Sequence, residues 1–370
     1  MAYLILLALG ALDAAGYSVI APVVPEIAQA TASSPATIGV LIATFPVGMV
    51  IGFAAAGASA RRFGPKPVIL AALGVIAFGS LGFVLGADLP AYFTARFVMG
   101  IGSGGLWIGI TFDTLQRWPG QEYLCMSRIF TAYSAGGLIG PALGAISGIH
   151  GPFLAYGGLI AAALALVAFL APPAETRVFV SDRSALRLPG FWSASAAILF
   201  TVLALSIVEG VLPLHLSSQL EQSELALTYA SVSLLVAGSA ALAARFRPRT
   251  DVLAAAALIT AGLGLAGATD TVALWIVALL LAGVGIGLGN TGSIGMLLES
   301  VRPERIVTAM IIWSQIGILG YLLGPIAAGT VADRFGFSAL GLVPLVAAAV
   351  LLKAIHWAPR VTTESARAER

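Results

Sequence analysis

Twelve apolar runs of about twenty residues, separated by short stretches carrying charge, Pro or Gly, decide what this chain can fold into. They cover approximately 3–25, 36–60, 67–87, 91–115, 127–149 and 152–172, then 191–214, 224–245, 251–269, 272–298, 306–330 and 336–358. They are called segments 1 to 12 below. Each is long enough to cross a bilayer as a helix. The charged fraction of 10% and mean hydropathy of +0.99 leave too little polar surface for a soluble fold of 370 residues. The chain therefore reads as an all-α polytopic membrane protein. The longest separator, 173–190, holds Glu175, Arg177, Asp182, Arg183 and Arg187 and divides the segments six and six. The expected domains are a six-helix bundle over 1–172, a cytoplasmic linker over 173–190, a second bundle over 191–358, and a cytoplasmic tail over 359–370.

Charge sets the expected orientation. With the N-terminus placed inside, 17 of the 19 Lys and Arg fall in inner loops, at the inner ends of segments or in the tail, Arg334 falls in an outer loop and Arg96 lies within segment 4. Asp88, Glu221, Glu224 and Asp270 fall outside. Both termini are then cytoplasmic. Segment 1 starts almost at Met1, lacks a charged leader and carries Asp13 in its middle, so no cleavable signal is expected. The short loops suit a prokaryotic inner membrane. A net charge of +2 gives no argument for nucleic acid, and the single cysteine, Cys125, excludes an intrachain disulfide or a Cys-based metal cluster.

Residues 136–148 read GGLIGPALGAISG, a run of small residues around Pro141 within segment 5. Such a run suits a bent membrane helix whose backbone closely approaches another. Gly136, Gly140 and Pro141 recur as Gly320, Gly324 and Pro325 in segment 11, at an offset of 184. Ala60-Arg61-Arg62-Phe63 recurs as Ala244-Arg245-Phe246-Arg247 at the same offset, and Gly100, Gly102 and Gly104 recur as Gly283, Gly285 and Gly287 at 183. Matches between segments n and n+6 imply two pseudo-symmetric bundles related by an axis along the membrane normal.

These motifs resemble the major facilitator superfamily over essentially the whole chain. Gly57-Ala-Ser-Ala-Arg61-Arg62-Phe-Gly64-Pro-Lys66 resembles its Gly-x-x-x-Asp-Arg-x-Gly-Arg/Lys loop, with Arg61 where that pattern has Asp. Arg96-Phe-Val-Met-Gly100 resembles its Arg-x-x-x-Gly motif, and Gly140-Pro141-Ala-Leu-Gly144 its antiporter motif, with a counterpart at Gly324-Pro325. Leu12-Asp13, Pro22-Val-Val-Pro25 and Glu209-Gly-Val-Leu-Pro213 are similar to the drug:proton antiporter branch, the vesicular monoamine transporters in particular. Where that group has further acids, this chain has Asn290 and Ser314. The resemblance implies a major facilitator fold that works by alternating access without a cofactor. Gly57, Arg61, Arg62, Gly64, Asp113, Gly140, Pro141, Gly144, Gly324 and Pro325 are implied to act in gating, with segments 5 and 11 at the interface between halves.

Ionisable residues in mid-membrane are costly and functional by default. Asp13 is the first candidate for proton coupling and cation binding, against a structural partner for an Arg or amide. Glu209 lies before Pro213, whose missing N–H frees a nearby carbonyl; it is either a second coupling or ammonium site or an outer gate. Arg96, about 9 Å inside the outer end at helical rise, either pairs with an acid or snorkels outward. Asp113 is expected to bridge to Arg61, Arg62 or Arg117 and latch the halves. His150, His215 and His356 read as interfacial. Aromatics at cavity depth are Tyr17, Phe45, Trp107, Tyr133, Tyr229 and Trp313, which would contribute cation–π contacts of about 0.5–2 kcal/mol. Asn290 and Gln315 are uncharged cavity candidates.

No phosphate-binding loop, His-Glu-x-x-His or Ser–His pairing is present, so no enzyme, metal or nucleotide chemistry is expected. The leading expectation is a monomeric proton-coupled antiporter that exports a small hydrophobic solute or drug, cationic or not, by alternating access. Alternatives are a same-fold facilitator or symporter for a sugar, metabolite or lysolipid, and a non-transporting receptor or assembly factor.

Overall fold

Pro residues and polar caps mark where the helices begin. Pro35, Pro65, Pro189 and Pro248 each open a helix, where a missing N–H has no intrahelical partner to lose. The N–H of Thr37 donates to Ser34 Oγ at 3.3 Å and that of Ala91 to Asp88 Oδ1 at 2.9 Å, capping segments 2 and 4. Segment 2 stops at Gly64, whose φ of 80° favours glycine, and Pro65 starts the next helix.

The computed structural model describes residues 1–118, 121–171, 186–243, 247–301 and 306–357. The expected linker lies outside the described residues up to 185, as does the expected tail. Arg177, Arg183, Arg245, Arg302, Arg305, Arg360, Arg367 and Arg370 are outside them too. The helices Pro35–Phe63, Pro65–Leu85, Leu89–Arg117 and His150–Leu170 form segments 2, 3, 4 and 6. In the second half, Gln222–Ala243, Pro248–Ala268, Val272–Ser300 and Ile306–Phe335 form segments 8 to 11, and Phe337–Ala339 with Leu342–Trp357 forms segment 12.

Segments 1, 5 and 7 are interrupted. Segment 1 is Ala2–Ser18, a 3₁₀ turn Ala21–Val23 and Val24–Ala30. Segment 7 is Pro189–Gly210 followed by Leu212–Leu216. Segment 5 departs most from expectation. It splits into Glu122–Gly136 and Ile139–Gly144, so 11 rather than twelve helices are individually long and apolar enough to span a membrane among the described residues. Its tandem Gly136-Gly137 gives the backbone little preference for helix just where Pro141 removes an N–H. Segment 11 has Gly320-Tyr321 at the equivalent place and stays helical through Pro325.

The packing repeats as the glycine spacing does. Segment 1 packs on 5, 2 on 4, 3 on 4, and 3 on 6; correspondingly 7 packs on 11, 8 on 10, 9 on 10, and 9 on 12. Gly100 and Gly104 abut segment 2 while Gly102 abuts segment 3; Gly283 and Gly287 abut segment 8 while Gly285 abuts segment 9. Helix ends are treated alike. Lys66 Nζ donates to the carbonyls of Ala168 (3.1 Å) and Ala171 (2.6 Å) at the end of segment 6, and Arg249 Nη2 donates to Ile355 O (3.2 Å) near the end of segment 12. The halves meet where segment 2 packs on 11 and segment 5 on 8. Outward faces are apolar, as at Leu4, Phe78, Phe169 and Leu227.

The Cα faces of Gly136, Gly140 and Gly144 turn to segment 1 of the same half rather than to the other half. A Cβ at Gly136 would run into Ala11, one at Gly140 into Ser18, and one at Gly144 into Pro22, all in segment 1 of the same half. Gly320 and Gly324 face segment 7 in the same way. The cross-half approach uses Gly39, against the Pro325 carbonyl, and Gly329, against Pro35.

Candidate functional site

Each proline-broken segment exposes carbonyls that other segments capture. Pro22 follows the end of the first helix, and there Arg96 Nη1 donates to Gly16 O and Nη2 to Tyr17 O, both at 2.9 Å. Ser18 Oγ (3.4 Å) and Ser233 Oγ (3.1 Å) donate to Gly137 O, the carbonyl that Pro141 leaves without its helical partner. Near Pro213, Tyr229 OH donates to Val208 O at 2.7 Å. Segment 11 is not broken, yet the carbonyl about one turn before Pro325 is captured too: Ser206 Oγ donates to Gly320 O at 3.1 Å. Irregular backbone is tolerated in a membrane when side chains satisfy it in this way.

These breaks surround a cavity of about 480 Å³ between the halves, a size suited to a drug-sized molecule. Asp13, Tyr17, Trp107 and Tyr133 line it from the first half, and Glu209, Asn290 and Trp313 from the second. Its lining continues to Thr131, Ala241 and Ile294, toward the bundle end that carries Met1 and Trp357. The opposite end is closed. There Gln222 Nε2 donates to the carbonyls of Gly144 (3.1 Å), Ile146 (3.2 Å) and Gly148 (3.2 Å), and Gln222 Oε1 accepts from Gly148 N (2.9 Å).

Asp13 is 2% exposed; its Oδ1 has no hydrogen-bond partner and Ser103 lies beside it. Tyr156 OH donates to the adjacent Leu12 carbonyl (3.2 Å) and fixes the helix there. Glu209 is 7% exposed, with Oε2 unpartnered. Tyr17 OH is also buried, with the Ser206 hydroxyl as its neighbour. Rings run between the two acids: Trp107 meets Tyr133 at 5.6 Å, Tyr133 and Tyr321 hydroxyls face each other, and Tyr321 meets Tyr17 at 4.2 Å.

Several expected residues fall elsewhere. Gln315 is exposed on the outward face of segment 11; its neighbour Ser314 lines the cavity instead. One residue is a rotation of about 100° on a helix. Phe45 lies under the Arg96 guanidinium at 4.4 Å, and Tyr229 is spent on Val208; neither lines the cavity. Arg96 neither snorkels nor forms an ion pair among the described residues; it is 0% exposed and bonded to backbone. Asp113 pairs with Arg117 at 2.6 Å on its own helix, so that pair cannot latch two halves. Arg61 and Arg62 are exposed, and Gly57 faces open space. His150 Nδ1 lies 3.0 Å from Phe83 O, His215 Nε2 lies 3.3 Å from Thr269 O, and His356 is exposed. Tyr321, Ser233 and Thr291 line the cavity without any sequence signal that marks them among ordinary helix residues.

A two-half helical bundle around a central cavity with buried acids is the architecture of a membrane transporter. The sequence matches the family model of the Major Facilitator Superfamily over residues 6–245 and 238–370, and the chain belongs to that superfamily. Its members are transporters, not enzymes. Multidrug resistance protein 2 of Bacillus subtilis (strain 168) is 29% identical over 177 residues, which span 46% of this chain and 41% of that protein. A bacterial homologue of the human lysosomal transporter Spinster, in an inward-facing and unoccupied conformation, shares the fold with a TM-score of 0.77 at 15% identity, over 97% of this chain and 98% of that one. A D-xylose–proton symporter does so with a TM-score of 0.74 at 17% identity, over 95% and 96%. The chain is thus a multi-pass membrane protein of a transporter superfamily.

Proposed function

We propose that the chain is a proton-coupled antiporter that exports a small hydrophobic cation. The observation that carries this reading is that Asp13 and Glu209, one from each half, are buried and line one cavity with an unpartnered oxygen each. A carboxylate shared between a proton and a cation makes the two compete, so release of one is tied to binding of the other. Asp13 is assigned to coupling and cation binding, and Glu209 to a second such site. Arg96 holds the bend of segment 1 that presents Asp13 and Tyr17. Trp107, Tyr133 and Trp313 give apolar and cation–π surface, and Asn290 adds a neutral polar contact. The sequence similarity to a multidrug resistance protein supports an efflux role.

With both termini cytoplasmic in a cell inner membrane, the cavity faces the cytoplasm and the Gln222 contact closes the outer side. The protein acts as a monomer with a cytoplasmic linker between its bundles. Transport proceeds by rocking of the halves. The cross-half pairs Gly39–Pro325 and Gly329–Pro35 separate as the outer side opens.

The test is counterflow of a labelled hydrophobic amine in proteoliposomes under an imposed pH gradient. Wild type accumulates substrate with the gradient, and Asp13→Asn does not. Full gradient-driven transport by Asp13→Asn would remove the assignment.

A further inference from the structure

The cavity presents two carboxyl oxygens without a hydrogen-bond partner, Asp13 Oδ1 and Glu209 Oε2, and beside them a third buried acceptor, Tyr17 Oη, whose neighbour is the Ser206 hydroxyl. Their residues are 2%, 7% and 3% exposed, respectively. All three atoms accept hydrogen bonds, and two of them belong to carboxyl groups. The cation that could have satisfied them is committed elsewhere. Arg96 has both Nη atoms on the carbonyls of Gly16 and Tyr17, is covered by the rings of Phe45 and Tyr17, and does not line the cavity. The remaining surface around these acceptors is largely aromatic, from Trp107, Tyr133 and Tyr321.

We propose that this site selects protonated amines that keep their N–H donors, primary and secondary ammonium ions on an apolar body, over quaternary ammonium ions of the same size. The inference rests on the reading of the cavity as a cation site and narrows it. An ammonium N–H can fill an acceptor at Asp13, Glu209 or Tyr17. A trimethylammonium group carries the same charge into the same aromatic surroundings but leaves those buried acceptors unpaired. Sites built on hydrogen bonds reject a ligand that lacks them more strongly than sites built on shape reject a change of size, because the buried partners remain unsatisfied. A sugar offers hydroxyl donors, but no charge to match two carboxyl groups and too much polar surface for the ring-lined remainder.

The experiment measures binding to the purified full chain by calorimetry. The ligands are one phenylalkyl amine, its N,N-dimethyl and N,N,N-trimethyl derivatives, and the matching alcohol, at a pH where the amines are protonated. The primary amine is expected to bind at least tenfold tighter than the trimethyl compound, with the dimethyl compound between them. In Tyr17→Phe, which keeps the ring against Tyr321, that ratio is expected to fall severalfold. A trimethyl compound that binds as tightly as the amine overturns the inference, as does an alcohol that equals the amine or a series in which no compound binds. Coupling is read separately. An amine preference that survives while a pH gradient drives no transport overturns the antiport reading alone. Equal binding and gradient-driven transport of amine and trimethyl compounds overturns this inference alone.

Discussion

Gln222 and Gly148 bond each other twice: the Gly148 N–H donates to Gln222 Oε1 at 2.9 Å, and Gln222 Nε2 donates back to Gly148 O at 3.2 Å. The two residues belong to opposite halves. Gly148 accepts the role because its φ of 82° turns the loop around the amide. The side chain is half-buried and also holds the carbonyls of Gly144 and Ile146, so it acts as a clasp on the closed end of the cavity.

Removing the clasp should shift the balance between the two open states. Each neutral hydrogen bond contributes about 0.5–1.5 kcal/mol net. Gln222 Nε2 shares two hydrogens among three carbonyls, so the set is worth less than four separate bonds, and its loss in Gln222→Ala is expected to change the population ratio by about tenfold, which corresponds to roughly 1.4 kcal/mol. Distance measurements between spin labels placed on segments 2 and 11 at the closed end would read this. An unchanged distance distribution would assign the closure to the helix packing alone.

Gly39 and Gly144 should behave differently when enlarged. Gly39→Ala puts a Cβ into the Pro325 carbonyl across the halves, and therefore penalises only the state in which that end is closed. Gly144→Leu collides with Pro22 inside one half, and costs about 1–3 kcal/mol of overpacking in both states. Thermal unfolding should fall more for Gly144→Leu, while state-dependent labelling should change more for Gly39→Ala. The reverse pattern would mean that the segment 5 glycines carry the switch.

Arg96→Lys is expected to destabilise the protein by about 2–3 kcal/mol. One ammonium cannot reproduce two parallel N–H donations to Gly16 O and Tyr17 O at 2.9 Å, nor the planar contact with Phe45. The melting temperature in detergent checks this. A lysine variant that melts like wild type would show that charge alone holds the bend.

Lys66→Met and Arg249→Met form a symmetry-related pair. Each removes a cation from the closing carbonyls of the last segment in its half, with an expected loss of about 1 kcal/mol. Lys66→Met should lose more, because Lys66 makes two such bonds. Equal, negligible effects in chemical unfolding would place both contacts among exposed pairs of no consequence.

Much of this was readable because the strongest constraints are local. Gly100 and Gly283 announce the repeat, since a close helix crossing admits little else in a long apolar helix. Asp13 and Glu209 stand out because an acid inside an apolar run has few explanations. Rotation about a helix axis was not readable: a helix apolar on all sides carries no phase, so Gln315 and Ser314 were interchangeable on paper. Partner choice was not readable either. Asp113 had three arginines to choose from, and Arg96 took carbonyls that exist as free acceptors only because segment 1 breaks near Pro22. Pro141 and Pro325 sit in equivalent places, yet only the segment with tandem glycines before its proline is interrupted.

The self-contained packing of each half bears on how the chain is made. Gly100, Gly104, Gly136, Gly140 and Gly144 all find their partners before residue 172, so the first six segments can complete their contacts while the later ones are still being synthesised. Gly39 and Gly148 are left waiting for Pro325 and Gln222. The half-made molecule is thus a packed half with an open face toward its future twin.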